Sequence, residues 1–183
     1  MGEHHISCLD LKVKTDDSMI YHDDGFVEDT RVHMVSLFNK YFNSGFSQKD
    51  IYGIERTWGG TFMNRKPGEK GVKHVHIFYE NNSKKQYPWD IFSRGHEETH
   101  ALDANHLDQL DVLLQDMVDN GISDEGFYEL SLDDQSNVGG IYAIFKYGLK
   151  NKIDSSSLEL PKNSKSYEIH NAKKWLFKRI VKE

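Results

Sequence analysis

The hydrophobic period of this 183-residue chain changes near its midpoint, from mostly alternating to mostly helical. Over residues 6–15, Leu9, Leu11 and Val13 alternate with Asp10, Lys12 and Lys14, the period of a half-buried strand. Residues 71–80 carry the clearest strand pattern, with Val75, Ile77 and Tyr79 on one face and His74, His76 and Phe78 on the other. Between these two lies a stretch of mixed character. Asp29 or Thr30 can cap a helix through Val32, Val35, Leu37, Phe38, Tyr41 and Phe42, stopped at Asn43-Ser44-Gly45. Residues 51–63 are aromatic-rich and punctuated by Gly53, Gly59 and Gly60, which predicts one or two strands with a tight turn.

From about Asp90 onward the apolar residues follow helical spacing. Ile91, Phe92, Ala101 and Leu102 are the expected packing residues of a first helix, and Leu107, Leu110, Leu113, Leu114 and Met117 of a second. Asn120-Gly121 is a stop signal for the second. The run Ile141-Tyr142-Ala143-Ile144-Phe145 predicts a buried helix, and the preceding Gly139-Gly140 lets a neighbour approach closely. Residues 151–165 read as a linker, and 166–182 as a docking helix with Ile169, Ala172, Leu176, Phe177 and Ile180 on one side.

Composition narrows the class. The chain is 37% apolar and 28% charged, as in globular proteins, and its length suits a single domain, 1–183. A net charge of −6 argues against a nucleic-acid partner. No apolar run reaches membrane-span length, and residues 1–7 lack a signal-peptide core, so no membrane association is expected. One cysteine, Cys8, excludes an internal disulfide framework and suits a cytoplasmic location, while a secreted form trimmed of its leader is also compatible. The charge is uneven: residues 162–183 carry +5 and the preceding chain −11.

The candidate chemistry lies in the first of the later helices, at His96-Glu97-Glu98-Thr99-His100, an H-E-x-x-H motif. Residues four apart on a helix share a face, so the two imidazoles can close on one cation. Glu97 follows the first imidazole directly, which puts its carboxylate beside a metal rather than on it, placed to take a proton from a polarised water. Gly95, just before His96, leaves room for close backbone approach. His106 sits ten residues after His96 and joins this face only if the chain turns near Asp103. His74 and His76, two apart on a strand, are rival ligands.

The motif resembles that of the zincin metallopeptidases. The longer run is similar to the metzincin pattern H-E-x-x-H-x-x-G-x-x-H, with His106 in the third-ligand place and Asp103 where that family has glycine. Metzincins also place a methionine turn under the metal; Met117 is the nearest downstream methionine, but its helical spacing makes it a core residue. Resemblance to the thermolysin-like gluzincins instead implies a carboxylate third ligand, taken from the acids between Asp124 and Asp134, Glu129 first among them.

Together these readings predict an α+β fold, a small mostly antiparallel sheet packed against the motif helix and further C-terminal helices, as in zincins. The expected function is that of a Zn2+-dependent hydrolase, peptide or protein substrates being implied by the resemblance, with metal ligands His96, His100 and His106 and general base Glu97. Tyr128, Tyr142 and His170 are the candidate oxyanion stabilisers. The rival readings are a catalytically silent metal-binding or protein-interaction domain, and a metal-free domain in which His96 and His100 are surface residues.

Overall fold

The computed structural model describes residues 2–6, 9–15, 19–23, 59–64, 74–79, 88–104, 107–154 and 166–181. The helix expected between Asp29 and Gly45 lies outside the described residues, as does most of the 151–165 linker. In chain order the elements are β1 (Gly2–Ile6), β2 (Leu11–Thr15), β3 (Met19–Asp23), β4 (Gly59–Asn64), β5 (His74–Tyr79), α1 (Trp89–Leu102), α2 (Leu110–Asp119), a 3-10 turn (Phe127–Glu129), α3 (Leu132–Asn151) and α4 (Ser166–Phe177). Helix predominates among the described residues. None of these helices is long and apolar enough to cross a membrane.

The single, mostly antiparallel sheet expected from the sequence is not seen. β1 and β2 form an antiparallel ladder of their own, with Gly2 opposite Thr15 and Ile6 opposite Leu11. The other strands are ordered β3-β5-β4, where β4 runs antiparallel to β5 but β3 runs parallel to it. Alternation identifies a strand without giving its direction. A parallel pair needs a long crossover connection, and the chain between Asp23 and His74 supplies one.

The predicted alternation runs from the β1–β2 turn into β2: Leu9, Leu11 and Val13 are buried while Asp10, Lys12 and Lys14 face solvent. Its inner face joins a core built from Phe92, Ala101 and Leu102 of α1, Leu110, Leu113, Leu114 and Met117 of α2, Val138, Ile141, Tyr142, Ala143 and Ile144 of α3, and Ile169, Ala172 and Leu176 of α4. Fully burying one such aliphatic or aromatic side chain contributes about 1.5–3 kcal/mol. α2 stops at Asn120, whose N–H reaches back to Asp116 and Met117, and the chain leaves through Gly121 at φ 77°. Beyond α4 the chain returns to this corner, where Ile180 bridges Ile122 and the Arg179 guanidinium lies 3.9 Å over the Trp175 ring.

The interface between α1 and α3 positions the candidate site. A Cβ on Gly95 would collide with the Ala143 side chain, and one on Gly139 with the Thr99 side chain. The missing side chains are what let the two helix backbones come this close. Both glycine signals in the sequence therefore have one cause, the approach of α1 to α3.

A polar network crosses the other side of α3. The Tyr142 hydroxyl donates to Asp116 Oδ2 at 2.6 Å, and Lys146 Nζ donates to the same oxygen at 2.8 Å. Lys146 also donates to the Leu9 carbonyl at 2.6 Å, while the Leu9 N–H donates to Glu98 Oε2 at 2.7 Å. Leu9, at the β1–β2 turn, is thus fastened to both α1 and α3.

Candidate metal centre

α1 presents its polar motif inward. His96 is 4% exposed, and Glu97, Glu98 and Thr99 are buried with it. His96 is therefore not the surface residue that a metal-free reading required, while His100 is partly exposed, at 23%. Thr99 satisfies its hydroxyl within the helix by donating to the Gly95 carbonyl at 2.7 Å. The two imidazole rings meet edge to face with centroids 4.7 Å apart, and Phe92 flanks His96 at 5.9 Å.

The third member of the group comes from α3. Ser131 caps that helix by accepting from the Asp134 N–H, which starts the helical turn at Leu132 and puts Asp133 at the edge of the two imidazoles. Asp133 Oδ1 stands 3.8 Å from His96 Nε2 and 3.7 Å from His100 Nε2. These separations are too long for hydrogen bonds. They approach the roughly 3.3 Å that separates ligands held about 2.0–2.1 Å from a shared tetrahedral cation. His96, His100 and Asp133 form a group that can hold a metal ion, with ligand atoms all within 4.8 Å of one another. Asp133 is 51% exposed, so the group opens to solvent on the α3 side.

The other nitrogen of each ring is also engaged. His96 Nδ1 lies 3.0 Å from Asn137 Oδ1, and His100 Nδ1 lies 3.1 Å from Asp103 Oδ2. Asn137 follows Asp133 by one turn of α3, so both project towards α1 from one face. Asp103 caps the C-terminus of α1 in extended backbone, its N–H reaching the His100 carbonyl and its own carbonyl accepting from Asp108.

The electrostatics follow from this arrangement. Burial by itself lowers the pKa of His100. The Asp103 and Asp133 carboxylates, and then the charge of Glu97, outweigh that effect and raise it to about 9.

α1 ends at Leu102, so the turn that His106 needs is present at Asp103, but His106 itself lies outside the described residues. The same holds for the side chains of His74 and His76 on β5. Glu129 sits exposed in the 3-10 turn and is not part of the group; within the acidic stretch Asp133 holds that place. Of the three candidate oxyanion stabilisers, Tyr142 is fully buried in the Asp116 network, and His170 is exposed on α4. Tyr128 is 65% exposed within the 3-10 turn. Met117 is a core residue.

Asp103 and Asn137 were not singled out as site residues by the sequence. For Asp103 a signal exists, because an acid three residues after a helical histidine lies within reach of its ring. Asn137 has none until the α1–α3 packing is known. Comparison with known proteins finds no matching family model, no matching curated protein and no matching solved structure.

Proposed function

We propose that this protein is a zinc-dependent hydrolase of zincin-like design, acting on peptide or protein substrates. His96, His100 and Asp133 would hold the ion, and Glu97 would move the proton. The observation that carries this reading is the convergence of two imidazole nitrogens and one carboxylate oxygen, drawn from two helices, within 4.8 Å. Two histidines and an acid are three protein ligands, the number of a catalytic zinc site that keeps one position open. When bound, zinc supplies Lewis acidity, polarising a carbonyl and lowering the pKa of water to about 7.

The chain's own residues do the rest. Glu97 is buried on the motif helix beside the ligands, where its carboxylate can accept a proton from the attacking water and return it to the leaving amine. Exposure of Asp133 leaves an approach from the solvent side, while His96 closes the inner side.

One observation favours a second reading. The three ligands join α1 to α3, so a bound ion would also fasten the two helices, and a purely structural site would do the same. Elemental analysis of tag-free protein, followed by hydrolysis of a broad peptide library with and without a chelator, decides between them. Stoichiometric zinc with chelator-sensitive hydrolysis supports the enzyme. Zinc without hydrolysis supports the structural site. Iron in place of zinc would contradict the hydrolase, because two histidines and one carboxylate also suit non-haem iron.

A further inference from the structure

We propose that Asp103 and Asn137 are positioning residues that hold both imidazoles in the Nδ1–H form, with Asp103 making His100 the stronger donor of the pair. The inference rests on the metal-centre reading above.

Asn137 presents its amide oxygen, an acceptor, to His96 Nδ1 at 3.0 Å. That contact is a hydrogen bond only if Nδ1 carries the proton, which leaves the Nε2 lone pair on the side of Asp133. Asp103 accepts from His100 Nδ1 through a carboxylate oxygen at 3.1 Å, so the proton that a cation displaces from this ring is the one on Nε2. Both rings are thus turned the same way, Nδ1 to an acceptor and Nε2 to Asp133 Oδ1. The two acceptors come from different helices, and neither is a neighbour of its ring by accident of exposure: Asn137 is buried and Asp103 is 1% exposed.

The charge of Asp103 is held against two costs, with the His100 ring as its partner. It sits at the C-terminus of α1, where the helix dipole disfavours negative charge, and burial removes its hydration. A ring that must donate strongly to a cation accounts for a carboxylate here, since an anionic acceptor raises the basicity of the imidazole it holds. The neutral amide of Asn137 does this less. The two histidines are therefore unequal, His100 binding the more tightly.

The test uses the full chain loaded with zinc. Long-range 1H–15N correlation spectra of the wild-type protein are expected to show Nδ1–H and metal-bound Nε2 for both His96 and His100. Zinc affinity, measured at one pH against a competing chelator, is expected to fall about 10-fold to 100-fold in Asp103→Ala. Asp103→Asn, which keeps an acceptor without the charge, should lie between it and the wild type. Asn137→Ala should lose less than Asp103→Ala. Cobalt(II) absorption bands should shift in Asp103→Asn, a change that a role confined to holding the helix end would not produce. Coordination through Nδ1 at either ring overturns the proposal even if every variant fails to fold. Unchanged affinity and an unchanged cobalt spectrum in a folded Asp103→Asn also overturn it, leaving the metal centre standing. A wild-type protein that takes up neither zinc nor cobalt overturns both.

Discussion

Two polar clusters share α3, and they are built on opposite plans. In the first, Asp116, Tyr142 and Lys146 close on one another at 2.6 and 2.8 Å, an anion matched by one ammonium group and one hydroxyl. Burial, with the Asp116 carboxylate adding to it, pushes the Tyr142 hydroxyl far up from its ordinary value, so it stays a donor at any working pH. In the second, His96 and His100 face Asp133 at 3.8 and 3.7 Å, with Glu97 and Asp103 close by. Its ligand atoms are spaced to share a cation, while its Nδ1 atoms make the close contacts. The first cluster holds helices together by itself, whereas the second gathers negative charge around two imidazoles.

The difference is sharpest on removing one group. His100→Ala and Asp133→Ala should each lower zinc affinity by on the order of 10²-fold or more, since a structural zinc site binds with about 10–16 kcal/mol shared among its ligands. Titration against a chelator measures this, with His106→Ala as the contrasting variant. A large loss in His106→Ala and none in Asp133→Ala would give the third place to His106. Glu97→Gln should retain zinc, while hydrolysis falls by about 10²-fold, as read from peptide cleavage and metal content on the same sample. Loss of zinc instead would make Glu97 a ligand.

The closed cluster should respond in the other sense. Tyr142→Phe should cost about 1–2 kcal/mol of stability in urea unfolding and leave zinc affinity unchanged, because it removes a buried donor from Asp116. An equal loss of zinc binding would mean that the two clusters are one.

The smallest effect is that of pH on the metal-free protein. The folded pKa of His100 lies near 9, above its ordinary value of 6.5. Its protonated form therefore adds stability that is complete below about 6.5 and is lost as pH rises through about 9. Zinc uptake must displace that proton, so apparent affinity should rise over the same interval. Thermal melts with chelator present, and zinc titrations across this range, measure the two slopes. A metal-free protein whose stability is flat between these pH values would contradict the electrostatic account of the site.

Much of the helical half was legible in the sequence because each of its signals is local. The spacing of Leu110, Leu113, Leu114 and Met117, the stop at Asn120-Gly121 and the buried run at Ile141 all depend on neighbours within a few turns. The i, i+4 placement of His96 and His100 is of the same kind. The strand pairings were not legible, since the parallel pairing of β3 with β5 depends on what lies between them. Asp133 stood among several acids, and only the close approach permitted by Gly95 and Gly139 singles it out. Asp103 was noticed for the turn it allows, but its carboxylate role depends on the ring orientation of His100.

The central claim is that one cation joins α1 to α3 through these three side chains. Anomalous scattering at the zinc edge, from crystals of tag-free protein grown with zinc, tests it most directly. The account predicts a single strong peak about 2 Å from His96 Nε2, His100 Nε2 and an Asp133 carboxylate oxygen. A peak held by other residues, or fully replete crystals with no peak between the two helices, would contradict it.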